Sequence, residues 1–463
     1  MEQQNYTSKI VEHVFNTSFS DIDQSSLLRA KERLIDSLGV MMIGHHVDDV
    51  DKVVELYSAM GGAPESSVVT YKRKLPTQNA AFLNSVIMRS YDFEAIDAEA
   101  VLSDNKTTPA HISGSTVPCA LAVAEIVKCS GKDFLRALIL GDNLTARVLN
   151  ASGFSVHDYF DGNGTANVLG ATTGAALLYG LSPEELHAAY SLAINLMSGT
   201  MQNVFEKRIA FKLPIAFSAG NGILAAKLAQ CAYRPGVIDP IGGPRGYFQL
   251  FHSAPEPEKL LFELDNKLIA DVVIKPWPAC RATHGSINAT LDALAGRTLK
   301  PEEVSQVKIH VAQGTKSFVG VGFEFGMTKQ YEGAFSIDFL VASAILYGHV
   351  GPESYKYERM TSEELKAMLS KIEVLGDLED SYGVNGALAE IELADGSTLS
   401  HLTEIAKGDF YRTRLSREGL LDKYYSNVRF GEVISRETAD RIVEMIDDLE
   451  NLDDLSSLIA LIQ

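Results

Sequence analysis

The first 270 residues repeat apolar side chains with the period of an α-helix. The stretch SLLRAKERLIDSLGVMMIG places Leu27, Leu34 and Leu38 on one helical face. The stretch TVPCALAVAEIVKCSG is almost wholly apolar, which is typical of a helix buried on all sides. In GATTGAALLYGLSPEEL, Ser182 and Pro183 form the N-cap and first-turn signal of a further helix. We therefore expect this region to be mostly helical.

A different pattern begins after residue 270. The stretches VSQVKIHVA and ALAEIELADGSTLSHLTE alternate with a period of two, and Asp395-Gly396 in the second is a strong hairpin signal. KIEVLGD is a third candidate strand, and helical stretches lie between the strands, so an α+β unit with an antiparallel sheet is expected. The C-terminal stretch ETADRIVEMIDDLENLDDLSSLIALIQ returns to an amphipathic helix.

These patterns together predict a mainly α fold. A helical domain built from both termini (1–274 and 406–463) is interrupted by a smaller α+β lid domain (275–405). The chain length of 463 residues suits two or three domains, because one domain commonly has about 100–200 residues.

The composition narrows the classes of function. The chain has 41 Lys and Arg against 60 Asp and Glu, so its formal charge of -19 disfavours nucleic acids and anionic membranes as partners. The N-terminus lacks the basic and apolar segments of a secretory signal, and no apolar run has the length of a membrane span. The 4 Cys residues lie far apart, which indicates reduced thiols and no metal or disulfide framework. We therefore expect a cytoplasmic protein.

Familiar catalytic motifs are absent from the sequence, which has no GxxxxGK[ST] phosphate loop, no GxSxG elbow and no HExxH zinc motif. Any chemistry must therefore come from side chains that meet across loops. Each candidate also has a structural interpretation, as a helix cap, a solvated first turn or the wet face of a helix. The candidates lie in three stretches and are Asp92, Glu94, Asp97 and His111; Glu206, Lys207, Arg208 and Lys212; and Lys275, Arg281 and His284.

Taken in order along the chain, these stretches resemble the MmgE/PrpD family. The resemblance runs from AKERLIDSLGVMMIG through YDFE…HISGSTVPCALAVAE, GATTGAALLYGLSPEEL, GGPRGYFQLF and KPWPACRATHGSINA to GAFSIDFLVASAILYG. The family contains dehydratases, decarboxylases and epimerases of small carboxylic acids. The resemblance implies a helical domain with an α+β lid, a homodimer, an active site between the domains, and no metal or organic cofactor.

The resemblance also implies the catalytic residues. Asp92 matches the family's active-site aspartate, His111 its helix-mouth histidine, and His284 the histidine of the lid loop. The family's pocket lysine falls one residue from Lys212. We expect His111 to act as general base or acid, Asp92 to orient it, and His284 to serve as its partner from the lid.

The shared chemistry of the family moves a proton at a carbon next to a carboxylate. The intermediate is an enolate beside a carboxylate, so cations must hold it inside this acidic chain. We expect Lys207, Arg208 and Arg281 to bind substrate carboxylates, with Lys212 as the main catalytic cation.

The chain departs from the family pattern at four pocket positions. These positions carry Ile96, Gly164, Phe211 and Phe339, where the family has Thr, His, Lys and Tyr. His157 and Tyr159, in the loop before Gly164, are candidates to replace the missing histidine. The pocket is therefore expected to be recognisable but altered.

These residues predict a cofactor-independent lyase of the dehydratase or decarboxylase type. Its substrate would be a small di- or tricarboxylate. Two alternatives stay open: an isomerase or epimerase of a small carboxylic acid, in which nothing leaves, and a catalytically degenerate homologue that only binds such a molecule.

Overall fold

The computed structural model describes residues 5–47, 49–100, 107–109, 111–252, 254–269 and 271–463. Helices account for most of the first 270 residues, as the apolar period predicts. Their bounds are α1 (Tyr6–Asn16), α2 (Gln24–Met41), α3 (Val50–Met60), α4 (Thr77–Arg89), α5 (Ser113–Val127), α6 (Gly131–Ser152), α7 (Gly162–Leu178), α8 (Pro183–Ile194), α9 (Gln202–Phe205), α10 (Leu213–Cys231), α11 (Tyr247–Phe251) and α12 (Glu258–Leu261).

Helices α4, α5, α6, α7 and α10 pack together and form the core of this part. Small residues allow the close approach. A Cβ atom at Gly170 on α7 would lie 1.9 Å from Thr145 Oγ1 and 2.5 Å from Gly141 O on α6. Residues 209–231, which include α10, are long and apolar enough to cross a membrane, but 67% of the apolar window is buried inside the protein. This helix is therefore a core helix packed on α4 and α7.

Two small sheets interrupt the region that was predicted to be all helical. Strands β1 (Ser66–Val68) and β2 (Arg73–Leu75) form an antiparallel pair. Strands β3 (Ile96–Glu99), β4 (Thr107–Thr108) and β5 (Val272–Val273) form a sheet of order β4-β3-β5. Strands of two to four residues are too short to show a period of two, which is why the sequence pattern misses them. The β3–β5 pair joins two of the predicted functional stretches.

The α+β part has the predicted elements with one difference in pairing. Strands β6 (Val304–His310), β7 (Ile372–Leu375), β8 (Ala387–Leu393) and β9 (Thr398–Thr403) form a sheet of order β7-β6-β8-β9. The β8–β9 hairpin turns where Asp395-Gly396 predicts it, with Gly396 at φ +83°. Strand β7 runs parallel to β6, so the prediction of a wholly antiparallel sheet is wrong. The long crossover between these strands makes the parallel pairing possible. The helices of this part are α13 (His284–Leu294), α14 (Gln313–Val319), α15 (Gln330–Ala334), α16 (Ile337–Tyr347), α17 (Tyr357–Met360) and α18 (Glu363–Leu369).

The C-terminal residues return to the first helices. Helix α19 (Arg417–Gly431) packs on α2, and it is followed by α20 (Arg436–Asp447) and α21 (Ser456–Ala460). A mainly α protein in which both ends of the chain join one helical body, with a smaller α+β part between them, is therefore confirmed. The exact boundaries after residues 274 and 405 stay predictions.

Candidate active site

The turn after α4 carries the acids of YDFEAIDAEA into the interior. Asp92 has φ +49°, in the left-handed region, and its backbone N–H donates to Arg89 O at 3.1 Å. Asp92 is 2% exposed and Glu94 is 0% exposed. These acids do not form a solvated turn, and burying two carboxylates requires partners of opposite charge.

Five buried side chains meet at this turn, and we call them the charge cluster: Arg89, Asp92, Glu94, His111 and Lys275. Arg89 Nη1 donates to the Asp92 carboxylate and lies 2.7 Å from Glu94 Oε1. Lys275 Nζ lies 2.8 Å from Asp92 Oδ1 and 2.6 Å from the Asp92 backbone oxygen. Two cations therefore offset two carboxylates in a space nearly closed to water.

His111 is held by Glu94 and leaves one ring nitrogen for chemistry. Its Nδ1 lies 2.9 Å from Glu94 Oε1, while its Nε2 lies 3.9 Å from Asp92 Oδ1. A carboxylate only accepts hydrogen bonds, so Nδ1–H donates to Glu94 and the lone pair is on Nε2. Arg89 Nη1, at 3.5 Å from Nδ1, is farther away than the carboxylate. Glu94, rather than Asp92 as predicted, is therefore the residue in position to orient the imidazole.

The backbone around His111 is fixed as well. His111 lies two residues before α5, its backbone oxygen accepts from Asn167 Nδ2 at 2.9 Å, and its N–H donates to Asn163 Oδ1 at 3.4 Å. Burial, and next the charge of Arg89, lowers the pKa of His111 to about 4, although Glu94 opposes the shift. The imidazole is therefore neutral at ordinary pH, as a general base must be.

The two carboxylates of the charge cluster are ionised. Burial alone raises the pKa of a carboxyl group, but Arg89 and Lys275 outweigh it and hold the pKa of Asp92 below its ordinary value. Burial likewise raises the pKa of Glu94, but Arg89 and then His111 lower it by more. The pKa of Glu94 is therefore below its ordinary value. The cluster thus presents fixed charges next to a neutral base.

Asp92, Glu94 and His111 each offer an atom that could bind a metal ion, and these atoms lie within 4.8 Å of one another. Arg89 Nη1 contacts both carboxylates, and Lys275 Nζ contacts that of Asp92. Two protein cations therefore already contact Asp92 Oδ1 and Glu94 Oε1, while Glu94 Oε2 has no hydrogen-bond partner among the described residues. With these two positive charges in place, the residues fit charge compensation better than metal binding.

His284 lies at the start of α13, where the sequence predicts it, and both of its ring nitrogens are engaged. Its Nε2 lies 3.2 Å from Ala279 O and its Nδ1 lies 3.3 Å from Arg281 Nη1. Burial, followed by the charges of Arg281 and Lys275, holds the pKa of His284 well below its ordinary value. Lys275 lowers the pKa of His111 as well, so one ammonium group acts on both imidazoles. Proton transfer by His284 would require one of its two contacts to break.

Arg281 is locked into the fold. Its Nη1 donates to Lys407 O at 2.8 Å and its Nη2 donates to Ala406 O at 3.2 Å. Its Nε lies 4.0 Å from Asp97 Oδ2, and burial raises the pKa of Asp97 to about 6. The guanidinium N–H groups of Arg281, which were expected to bind substrate, therefore donate to backbone oxygens of residues 406–407, where the chain leaves the α+β part.

The three remaining predicted cations have different environments. Lys212 is buried, and its Nζ lies 3.0 Å from Asp49 Oδ1. Burial lowers the pKa of Lys212, and its partner Asp49 opposes the shift. Lys207 Nζ donates to Val321 O and to Ser336 Oγ, each at 2.9 Å, and so bridges to the α+β part. Arg208 is exposed, 3.6 Å from a Glu206 carboxylate oxygen.

The altered pocket positions are filled by the fold itself. A Cβ atom at Gly164 would lie 1.8 Å from Ser198 O, so no side chain fits there. Phe211 lies 4.9 Å from the guanidinium carbon of Arg89, and Phe339 is buried and stacks on Tyr355 at 5.7 Å. His157 and Tyr159 are exposed side chains on the surface loop and do not enter the charge cluster.

Sequence reasoning missed two residues of the site. Arg89 was not a candidate, although an arginine that ends the otherwise uncharged helix TQNAAFLNSVIMR is a signal for a buried ion pair. Tyr355 was not a candidate either. Its hydroxyl donates to Pro278 O at 2.5 Å, and burial, then the charge of Asp92, raises its pKa well above the ordinary value. No local pattern marks Tyr355.

A cleft opens beside the charge cluster. It has a volume of about 270 Å³ and is lined by residues of the helical body, including Asp49 and Tyr91, and of the α+β part, including Tyr331 and Tyr355. Tyr91 directly precedes Asp92, and Asp49 is the partner of Lys212. The cleft therefore adjoins the turn through Tyr91, although none of the five cluster residues lines it.

Comparison with known proteins adds relatives of nearly full length. The chain is 25% identical to the cis-aconitate decarboxylase of Mus musculus over 452 residues, which cover 94% of this chain and 88% of the relative. It is 25% identical to the cis-aconitate decarboxylase of Homo sapiens over 454 residues, with 94% and 90% covered. A cis-aconitate decarboxylase-like protein of Aspergillus oryzae is also 25% identical, over 488 residues, with 99% and 97% covered.

Two family profiles account for most of the chain. The profile of the MmgE/PrpD N-terminal domain matches residues 8–260, and that of the MmgE/PrpD C-terminal domain matches residues 277–451. With both domains of one family present in order, the chain belongs to the MmgE/PrpD family.

Proposed function

We propose that the chain is a lyase that acts on a small di- or tricarboxylate by proton transfer next to a carboxylate. The observation that carries the proposal is the Glu94–His111 pair, because it leaves a neutral imidazole with a free Nε2 inside a charged, water-poor site. Relatives named cis-aconitate decarboxylase, similar over nearly the whole chain, support a lyase with a carboxylate substrate. The chemistry needs no organic cofactor.

In the proposed reaction, His111 Nε2 removes the proton on the carbon next to a substrate carboxylate. Glu94 stays ionised, accepts the Nδ1–H bond and stabilises the imidazolium that forms. The electron pair of the broken C–H bond moves into the carboxylate, where an enolate forms. The same imidazolium then returns a proton, either to carbon or to a departing hydroxide, which leaves as water. Carbon dioxide departs without a proton, and the electron pair that it leaves behind takes the proton at carbon.

Cations must stabilise that enolate, and Lys212, a buried lysine paired with Asp49, is the main candidate. Asp49, the partner of Lys212, lines the cleft, and the Asp49 side chain is 25% exposed. A substrate carboxylate entering from the cleft would replace Asp49 on the Lys212 ammonium group, so the cost of burying that charge is already met by the fold. Lys207 and Arg208 lie on the same segment before α10 and would hold a second carboxylate.

Isomerisation or epimerisation is the second candidate, and one observation favours it. A lyase here would have to use His111 both to remove the proton and to protonate the departing group, because Gly164 admits no side chain and Phe339 is apolar where the family has His and Tyr. With the proton returned to a neighbouring carbon on the same face, as in a double-bond isomerisation, the Glu94–His111 pair alone would suffice, whereas an epimerisation also needs a proton donor on the opposite face. A homologue that only binds carboxylates is the third reading.

The experiment offers a panel of small di- and tricarboxylates to the protein in deuterium oxide and follows each acid by NMR. Deuterium incorporation with loss of carbon dioxide or water identifies a lyase, and incorporation without loss identifies an isomerase. His111→Gln should lower both exchange and turnover by about 10²–10⁴-fold. His157→Gln, an exposed histidine outside the charge cluster, is the matched control and should leave both rates unchanged.

Wild-type protein that binds acids of the panel without exchange would support the binding-only reading. Exchange that survives in His111→Gln would show that another group is the base.

We also propose that the protein is a cytoplasmic homodimer, with four free thiols that suit a reducing compartment. Light scattering of the purified protein tests the dimer.

A further inference from the structure

Lys423 is a buried cation that the proposed mechanism does not use. It lies on α19, more than 300 residues along the chain from the turn that carries Asp92 and Glu94, and its side chain is 5% exposed. Its Nζ lies 2.6 Å from Asp36 Oδ1 on α2 and donates to Phe93 O at 2.9 Å. The same Nζ lies 3.8 Å from the centre of the Phe93 ring. Lys423 therefore contacts the residue between the two acids of the cluster.

Two ammonium groups hold consecutive carbonyl oxygens of this turn. Lys275 donates to Asp92 O at 2.6 Å, and Lys423 donates to Phe93 O at 2.9 Å. The turn includes a non-glycine residue at φ +49°. Such a conformation is unfavourable for a residue with a side chain and persists only where the surroundings enforce it. The two lysines, from different parts of the chain, supply that constraint.

The charge of Lys423 also belongs to the electrostatic surroundings of the site. Burial lowers the pKa of Lys423, Asp36 opposes the shift, and the charges of Lys275 and Glu94 contribute as well. Burial raises the pKa of Asp36, while Lys423 lowers it. The Asp36–Lys423 pair is therefore continuous with the charge cluster, and both side chains are buried.

Two glycines let α19 come close enough for this contact. A Cβ atom at Gly39 on α2 would lie 2.8 Å from Tyr424 Cδ2, next in the chain to Lys423. A Cβ atom at Gly431 would lie 2.2 Å from Met42 O, at the end of α2. The close packing of these helices thus sets the position of the ammonium group against the turn.

We infer that Lys423, with Asp36, is a positioning residue that holds the 91–94 turn so that Glu94 fixes the orientation and tautomer of His111. The expected change in kcat rests on the proposed function, whereas the expected change in the pKa of His111 does not. Helix α19 thus has a role in the site, although this helix contributes no group to the reaction.

The decisive variant is the double substitution Asp36→Asn with Lys423→Met, which removes the buried ion pair without leaving one unpaired charge. Because the net charge of the pair is zero, its loss acts on His111 mainly through the turn. Once Glu94 is released, water reaches the imidazole, so NMR titration of ¹³C-labelled histidine should show the pKa of His111 rising by about one unit or more towards its ordinary value. The kcat should fall about 10–10²-fold with KM little changed.

The matched control removes another ion pair between α2 and the C-terminal residues. Lys31, also on α2, pairs with Glu450 and donates to Asp447 O at 2.7 Å. Lys31→Met with Glu450→Gln should leave the His111 titration and kcat unchanged, even where it lowers the melting temperature. Lys423→Arg, which keeps the charge and a donor, should restore most of both values.

An unchanged His111 titration in a folded double variant would overturn the inference. If the double variant does not fold, Asp36→Leu with Lys423→Met decides, because replacing both partners of a buried ion pair by apolar side chains is often neutral for stability. The pKa of His111 should rise in that variant too, and no rise would overturn the inference. The titration needs no substrate. A wild-type protein that turns over no acid of the panel therefore refutes the proposed function without touching this test.

Discussion

At the scale of single residues, the identity of the base depends on which nitrogen of one imidazole keeps its proton. Glu94 accepts from Nδ1 of His111, so Nε2 carries the lone pair. Asp92, the acid that the family resemblance singles out, is instead held by Arg89 and Lys275. Two neighbouring carboxylates thus have different environments and, in the proposed reaction, different tasks.

Glu94→Gln should therefore lower kcat by about 10²-fold, because a Gln amide can donate to Nδ1 and place the proton on Nε2 instead. KM should change little, since Glu94 is 0% exposed and lies behind the base. Steady-state kinetics of the variant on the active acid measures both. Glu125→Gln, a change to a partly buried acid on α5 that bonds to Ser67, is the control. Equal effects of the two substitutions would contradict the role of Glu94.

The pH dependence follows from the lowered pKa of His111. The base works only when neutral, and it stays neutral until the pH falls to about 4. The acid limb of kcat/KM should therefore fall near pH 4 and not near 6.5. Between pH 6.5 and about 4, His111 is protonated in the unfolded chain but neutral in the folded chain. The free energy of unfolding therefore falls as the pH decreases towards 4. A limb near 6.5 in the pH–rate profile would mean that the reactive imidazole is solvated.

At the scale of elements, the packing of α19 on α2 depends on the absence of side chains at two points. Gly39→Ala would place a Cβ atom 2.8 Å from Tyr424 Cδ2. The helices must separate or Tyr424 must move, which should lower the free energy of unfolding by about 1–3 kcal/mol. Urea denaturation measures the change. Gly314→Ala, at a position where a Cβ atom meets nothing within 4 Å, is the control and should cost much less.

At the scale of the whole molecule, the helical body and the α+β part are joined close to the site. Lys207 reaches Val321 and Ser336, and Phe205 lies 5.2 Å from Phe318 between ring centres. The buried cluster is accessible to a substrate only if such contacts open, because its five side chains are nearly unexposed. The contacts of Lys207 thus join the segment before α10 to the α+β part, and we expect them to open when a substrate enters.

Lys207→Met should loosen the contact between the segment before α10 and the α+β part. Hydrogen exchange of residues 318–336 should become faster, and KM for a carboxylate should rise if Lys207 also binds the substrate in the open form. Exchange measured by mass spectrometry with and without substrate separates the two effects. Arg208→Met, one residue away and exposed, is the matched control. If both variants exchange alike, the Lys207 contacts do not restrain the α+β part.

The sequence alone determined the features that depend on neighbours along the chain. The period of apolar residues predicted the helices, Ser182-Pro183 the start of α8, and Asp395-Gly396 the hairpin, because helix caps and tight turns are local interactions. The order of motifs was enough to indicate the MmgE/PrpD family, and both domain profiles confirm it. The family comparison also marked Asp92 and His111, whose side chains the structure brings together.

Only the tertiary structure decided how those side chains are used. The contacts of Glu94 with His111, of Lys275 with Asp92 and of Lys423 with Phe93 join residues far apart in the chain. They depend on a backbone turn with positive φ and on helices that touch at glycines, neither of which leaves a periodic signal. A buried charge is stable only beside its partner, and which partner it meets depends on the packing of the whole fold.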